Sequence, residues 1–329
     1  MTSQRNPEIE TLTAQLLKGD RRALGKGITL VESTQEGDEK DAEQLLTGIM
    51  PNSGKSLRLG VSGSPGVGKS TFIEALGMSF IAKGKRVAVL AIDPSSPVTG
   101  GSILGDKTRM DRLAVSPDSF IRPSPSGDVS GGVARHTRES ILLCEAAGYE
   151  MIIVETVGVG QSDVVVSSMV DYFILLQQPY AGDELQGIKR GILELADLIC
   201  VTKADGESLL AAQRTKGDLE QALSFGYGSR DIAAKVFLVS KDNPSTIAVL
   251  ANQLIAMSND LAFKENLAAR RREQTQMWFD HEVQSYVMEF LKKTRKTQFY
   301  RQSCHEAEEQ SIPISSAARK FGQRLLKAP

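Results

Sequence analysis

Cysteine is scarce in this sequence: three among 329 residues, at Cys144, Cys200 and Cys304, with no CxxC spacing. A disulfide framework or a cysteine-based metal site is therefore not indicated. Cys144 and Cys200 sit in apolar stretches and read as buried small hydrophobes. Histidine is equally scarce, and His136, His281 and His305 lie far apart, so no His-rich tract offers itself to a metal cargo. An excess of one charge is also missing. The 39 Lys+Arg face 40 Asp+Glu for a formal net charge of -1, which leaves no electrostatic footprint for nucleic acid or an anionic membrane surface. The tandem pairs Arg271–Arg272 and Lys292–Lys293 read as solvated helix faces. No apolar run approaches the roughly 18 residues that span a bilayer. The N-terminus has no apolar h-region, and Glu8, Glu10 and Asp20 are out of place in a transit peptide. The expectation is a soluble cytoplasmic protein with neither a membrane nor a nucleic-acid partner.

What is present is a change of pattern along the chain. Residues 1–52 read as helices: Ile9, Leu12 and Leu16–Leu17 recur at helical spacing, followed by Ala23–Glu32 and Asp41–Met50. The turn Pro51-Asn-Ser-Gly54 ends this region. Residues 53–261 then alternate short apolar runs with helical stretches. The runs are Leu57–Val61, Val87–Ile92, Met151–Val154, Tyr172–Leu176, Leu198–Thr202 and Val236–Val239. Continuous apolar strands separated by helices predict an α/β fold with a mostly parallel sheet flanked by helices. Ligands bind such sheets beyond the carboxyl ends of the strands. Residues 262–329 carry no strand signal. Phe279, Val283, Tyr286 and Phe290, widened by Val287 and Leu291, form an amphipathic stripe that must pack on its own domain or on another subunit.

The segment Gly63-Ser-Pro-Gly-Val-Gly-Lys-Ser70 matches G-x-x-x-x-G-K-[ST] in full, between the run Leu57–Val61 and a helix predicted over 71–82. Glycines let backbone N–H groups of Gly63, Ser64, Gly66, Val67 and Gly68 curl around phosphates without Cβ clashes, with Pro65 shaping the loop and the helix dipole behind it. Lys69 is the candidate bridge to the β- and γ-phosphates, and the Ser70 hydroxyl the candidate Mg²⁺ ligand. Ser62 and Thr71 flank the loop and complete the contact set. Asp93 closes the second apolar run, Asp106 lies in the polar loop that follows, and Glu155 ends the third run and opens Glu155-Thr-Val-Gly158. These three carboxylates, with Ser70, are the candidate Mg²⁺ holders.

Guanine selection is expected from Thr202-Lys-Ala-Asp205 at the end of another strand. An aspartate there accepts two hydrogen bonds from guanine N1–H and the exocyclic amine. Adenine offers neither donor, so it would leave the carboxylate poorly paired. The Lys203 stem can cover the base. Thr202 stands where Asn is commoner, which predicts a looser tether between the loops. Ser240-Lys241-Asp242 follows the last strand, where a base-contacting serine loop is expected and only the serine matches.

The blocks Asp93-Pro-Ser-Ser-Pro-Val-Thr-Gly-Gly-Ser-Ile-Leu-Gly-Asp-Lys-Thr-Arg-Met110, Ile121-Arg-Pro-Ser-Pro125, Glu155-Thr-Val-Gly-Val-Gly-Gln-Ser162 and Gly182-Asp-Glu-Leu-Gln-Gly-Ile-Lys-Arg-Gly191 resemble those of the methylmalonyl-CoA mutase-associated GTPases. That family includes the bacterial MeaB/ArgK type and the human cobalamin-A protein. The resemblance implies a P-loop NTPase fold of the SIMIBI class, GTP/GDP and Mg²⁺ as ligands, and homodimers through a C-terminal helical extension. It also implies a chaperone role for an adenosylcobalamin-dependent acyl-CoA mutase, with the chain handling cobalamin itself or gating a cobalamin adenosyltransferase. Gly182–Lys189 resembles a third switch, with Lys189 and Glu155 as its charged participants. The run Gln177-Gln-Pro-Tyr180 before that switch departs from the family pattern.

Val159 follows Gly158, where a water-orienting Gln stands in Ras-like proteins, so slow unassisted hydrolysis is expected. Lys69, Asp93, Asp106, Glu155 and Lys189 form the candidate catalytic set, with Arg109 a further group a partner could bring in. Two other readings stay open: a transport-linked ATPase or kinase, and a nickel-type metallochaperone GTPase.

Overall fold

The computed structural model describes residues 6–35, 37–93, 110–125, 132–156, 161–179, 190–224, 235–295, 297–309 and 312–325. The chain divides into two compact units, Met1–Arg271 and Arg272–Pro329. The first unit holds seven strands: β1 Leu57–Gly63, β2 Val87–Asp93, β3 Ser119–Pro125, β4 Met151–Thr156, β5 Tyr172–Gln177, β6 Leu198–Val201 and β7 Lys235–Leu238. They form one sheet in the order β3-β2-β4-β1-β5-β6-β7, and every pairing is parallel. All residues of β4, β5 and β6 are buried, as a parallel sheet covered on both faces requires. The sequence anticipated this architecture and six of its strands.

The strand it missed is β3. Ser119-Phe-Ile-Arg-Pro-Ser-Pro125 carries two prolines and an arginine, a composition that does not read as a strand. Its place explains the exception. β3 lies at the edge and pairs with β2 alone, and a proline there can turn its missing N–H away from the ladder.

Helices α1 Pro7–Leu17, α2 Arg21–Val31 and α3 Asp38–Ile49 form the N-terminal layer. Asn6 and Asp20 cap the first two through side-chain oxygens that accept N–H bonds from Glu8, and from Arg22 and Ala23. Leu16, Leu24, Ile28, Leu45 and Ile49 face inward and are fully buried. These helices pack with α6, Gly132–Ala146, which lies on the sheet. On the other face α4, Lys69–Ile81, and α10, Pro244–Asn259, cover the alternate residues Leu57, Leu59 and Val61 of β1. This unit also contains α5 Asp111–Val115, α7 Gln161–Ser167, α8 Arg190–Leu195 and, before β7, α9 Leu209–Ser224. The second unit contains most of α11, Leu261–Thr294, together with α12 Gln298–Glu308 and α13 Ile314–Leu325. Within it Phe321 stacks on Phe299 at 5.3 Å between ring centroids and meets Tyr300 edge-on at 5.4 Å.

At the amino edge of the sheet the structure corrects the reading of Arg271 as a solvated residue. Its Nε and Nη2 donate to the two oxygens of Asp171, at 2.8 and 2.6 Å, and its other bonds reach the carbonyls of Gly54 and Ser56, both at 2.6 Å. Asp171 is buried, and it also accepts the Arg58 N–H at 2.8 Å. Burial opposes the guanidinium charge, but the hydrogen bonds and charge of Asp171 outweigh it, so the Arg271 pKa is raised. Arg270 makes a second bidentate pair with Asp197, at 3.2 Å for both bonds. Asp171 and Asp197 immediately precede β5 and β6, so the first part of α11 is fastened to the beginnings of two central strands. A third pair, Arg58 with Glu145, holds α6 to β1, and Glu145 also accepts the Gly54 N–H at 2.6 Å. Lys293, by contrast, is solvated as read, with a side chain 75% exposed.

Removing one member of a buried pair strands the other, at about 3–5 kcal/mol. Urea unfolding of Arg271→Ala is expected to show a destabilisation in that range. Lys293→Ala, at a side chain 75% exposed that pairs with the exposed Glu289, should change stability by less than about 1 kcal/mol. Equal effects would contradict the assignment of Arg271 as a structural anchor.

Candidate functional site

β1 is the centre of the sheet, between β4 and β5. The chain leaves β1 toward β2 on one side and later crosses from β4 to β5 on the other. This reversal opens a crevice at the carboxyl ends of the strands. The phosphate-loop motif begins there. A Cβ on Gly63 would lie 2.7 Å from the Leu176 carbonyl oxygen of β5, so only glycine lets β1 end against its neighbour and turn. Gly68 caps α4 with φ of +96°, a left-handed conformation that L side chains resist. The free N–H groups at the start of α4 therefore point into the crevice.

Two clusters of predicted residues meet at this edge. In the first, the Lys69 ammonium donates to the carbonyls of Gly63 at 2.6 Å and Ser64 at 3.2 Å, which holds it at the mouth of the loop. The Ser70 hydroxyl lies 3.5 Å from Glu155 Oε1, and Glu155 is 4% exposed at the end of β4. A hydroxyl and a carboxylate side by side form a hard oxygen pair of the kind Mg²⁺ takes, so the donors present fit that ion.

The second cluster surrounds a cavity of about 440 Å³, within the range of small-molecule sites. Gly66, Val67, Gly68 and Thr71 form its phosphate-loop wall, and Thr202, Lys203, Asp205, Ser240, Lys241 and Asp242 form the opposite one. Phe72, Val239 and Ile247 supply an apolar floor that the sequence reading did not identify. Asp205 is oriented by the Ser240 hydroxyl, which donates to its Oδ2. Ser240 in turn accepts the N–H groups of Asp242 at 2.9 Å and Asn243 at 3.3 Å, and its own N–H donates to Thr246 Oγ1 at 3.1 Å. The serine therefore belongs to a built loop. Lys203 adopts φ of +53°, the only positive value among the described non-glycine residues, and its ammonium donates to the Gly66 carbonyl at 3.2 Å. Such a conformation is costly and persists only where the surroundings enforce it.

Thr202 does tie the two loops together. Its hydroxyl donates to the Val67 carbonyl at 2.8 Å, and its N–H donates to the Gln177 carbonyl at 2.8 Å. The shorter side chain reaches because β6 ends close to the phosphate loop. Ser62, at the base of the loop, is fully buried and donates to Asp163 at 2.6 Å, a partner that sequence reasoning missed. A single acid in the first turn of a short helix resembles a favourable dipole charge, so nothing in the pattern marked it.

Asp93 ends β2, paired in register with Pro125. Its side chain lies outside the described residues, as do Asp106, Arg109, Val159 and Lys189. Cys144 and Cys200 are buried and free, with thiol pKa values pushed up by burial. His136, His281 and His305 fall on α6, α11 and α12. Among the described residues no helix is long and apolar enough to cross a membrane.

Comparison with known proteins adds names to this geometry. The family described as Methylmalonyl Co-A mutase-associated GTPase MeaB matches residues 24–296. A probable GTPase of Mycobacterium tuberculosis is 48% identical over 282 residues, covering 85% of this chain and 84% of that protein. GTPase ArgK of Escherichia coli is 42% identical, covering 94% of each chain. The mitochondrial methylmalonic aciduria type A homolog of Mus musculus is 42% identical, covering 86% of this chain and 71% of that protein. Among solved structures, an LAO/AO transport system kinase superposes with a TM-score of 0.76 at 34% identity, covering 99% of this chain and 100% of that one.

Loss of a hydrogen bond to a charged group costs about ten-fold or more in affinity. Ser240→Ala should therefore weaken GDP binding by about ten-fold while ATP stays a poor competitor. Asp205→Asn should shift preference from guanine to xanthine nucleotides, because the amide donates to the xanthine 2-carbonyl. Fluorescent-nucleotide titration reads both, and wild-type binding of ATP as tight as GTP would refute the role given to Asp205.

Proposed function

This chain belongs to the methylmalonyl-CoA mutase-associated GTPase family, and from that premise we propose that it gates cofactor loading of an adenosylcobalamin-dependent acyl-CoA mutase and protects that enzyme. The observation that carries the nucleotide part is the Ser240–Asp205 hydrogen bond facing a cavity whose other wall is the phosphate loop. The family's name and the methylmalonic aciduria type A relatives support the mutase part. The relative named ArgK and the neighbour named as a transport system kinase leave the transport-linked reading to be settled by nucleotide preference.

In this reading Asp205 accepts guanine N1–H and the 2-amine, and the Lys203 stem covers the base. Main-chain N–H groups from Gly63 to Ser70 receive the phosphates, and Lys69 turns its ammonium onto the β- and γ-oxygens. Ser70 and Glu155, with Asp93 and Asp106, would hold Mg²⁺. That ion supplies neutralisation of the phosphate charge that builds toward the transition state. Thr202 keeps the base loop and the phosphate loop at a fixed distance, so that the nucleotide is aligned by bonds already made. Val159 offers no hydrogen bond to an attacking water, so the intrinsic rate is low and the mutase completes the site, with Lys189, Asp106 and Arg109 as the groups it can bring in.

We also assign the exposed face of α11 to a second copy of the chain, in keeping with the family's C-terminal dimerisation. Phe279 is 67% and Tyr286 78% exposed, on the same stripe as Val283, Val287 and Phe290. Large apolar side chains gathered on one helix face are the mark of an interface. The working location we assign is the cytoplasm.

Steady-state GTP turnover should rise at least about ten-fold when the cognate mutase is added. Turnover equally fast in its absence, with no complex formed, would sink the chaperone assignment and leave the GTPase standing. Light scattering on the same preparation should give twice the chain mass, and Tyr286→Asp should halve it; a wild-type monomer would overturn the interface.

A further inference from the structure

Asp163 is a fully buried carboxylate on α7, the helix that follows the Glu155-Thr-Val-Gly segment. A carboxylate so placed is expensive unless polar groups compensate it. Here two hydroxyls give their protons to the same oxygen: Ser62 at 2.6 Å and Thr156 at 2.9 Å, both residues themselves fully buried. Ser62 is the residue before Gly63, where the phosphate loop begins. Thr156 is the residue after Glu155. One carboxylate oxygen therefore joins the stem of the phosphate loop to the strand end that carries the candidate Mg²⁺ ligand. The approach of α7 that makes this possible is itself built in. A Cβ on Gly60 of β1 would lie 2.9 Å from Val166 Cγ1 and 3.0 Å from Val170 Cγ2, so a larger residue there would push the helix away.

We propose that Asp163 is a positioning residue for hydrolysis, fixing the distance between the phosphate loop and Glu155 through Ser62 and Thr156. The proposal rests on the GTPase reading above. It assigns Asp163 no contact with the nucleotide or the metal. Its influence falls on the alignment of Ser70 with Glu155, which lie 3.5 Å apart, and not on the base site, which Thr202, Asp205 and Ser240 hold independently.

The test compares Asp163→Ala, Asp163→Asn and the paired change Ser62→Ala with Thr156→Val in the full-length protein. Asp163→Ala is expected to lower kcat at least about ten-fold while GDP affinity and KM for GTP change less than about three-fold. Asp163→Asn, whose amide oxygen can still accept both hydroxyls, should recover most of the rate. The Ser62/Thr156 change should lower kcat as Asp163→Ala does, and combining the three should lower it no further, as for groups acting as one unit. Should Asp163→Ala fail to fold, the Ser62/Thr156 variant carries the same comparison. An unchanged kcat overturns the proposal, and so does a loss of GDP binding as large as the loss of rate, which would make Asp163 a part of the fold alone. Failure of the underlying reading shows elsewhere: wild-type protein that neither binds nor hydrolyses GTP would remove both.

Discussion

The site depends first on how closely β1 can approach β5. Gly63 brings its backbone so near the Leu176 carbonyl that no side chain fits between them. Because of that contact the central strand can end flush with its neighbours and reverse into the phosphate loop at the sheet's edge. A side chain at this position would have to displace backbone, since the obstructing atom is a carbonyl and not the tip of a flexible chain. The rest of the crevice is referenced to this point. Val67, four residues on, receives the Thr202 hydroxyl, and Gly66 receives the Lys203 ammonium. The wall that carries Thr202, Lys203 and Asp205 is thus hung from the phosphate loop by two bonds.

Charge at the amino edge of the sheet is paired in place. At the amino edge Arg271, Arg270 and Arg58 meet Asp171, Asp197 and Glu145 through bidentate or multiple bonds, and the carboxylates also accept backbone N–H groups that begin the strands. Charges buried in this manner are compensated in place and serve as fasteners. At the carboxyl edge, among the described contacts, Lys69 donates to two carbonyls and the Ser70 hydroxyl lies 3.5 Å from Glu155.

Much of this was legible in the sequence, for reasons that can be named. Six strands announced themselves because a sheet buried on both faces demands unbroken apolar runs. The phosphate loop did so because glycine, lysine and serine are each required at fixed positions by chemistry. β3 was invisible because an edge strand escapes both the apolar and the anti-proline requirement. Arg271 was misread because a pair of adjacent arginines on a helix carries no mark of where the helix lies, and only tertiary packing brings Asp171, a hundred residues earlier, to meet it. Ser240 was half-legible: the serine was found, while its bond to Asp205 across 35 residues belongs to the fold. Asp163 was missed for the same reason, since Ser62 and Thr156 are adjacent to it only through β1 and β4.

The proposed base site is largely arranged before a ligand arrives. Ser240 orients Asp205 and is itself held by Asp242, Asn243 and Thr246, so the carboxylate proposed to select guanine is aimed in advance. Preorganisation of this kind lowers the cost of binding and favours selection over speed. At the phosphate end Val159 follows Gly158 in the sequence, and its apolar side chain offers no hydrogen bond to an attacking water. In the proposed reading, selective binding joined to slow unassisted hydrolysis gives a bound state whose end is set from outside. Such a state is what the loading role proposed above requires: the nucleotide would stay until the client supplies the missing alignment.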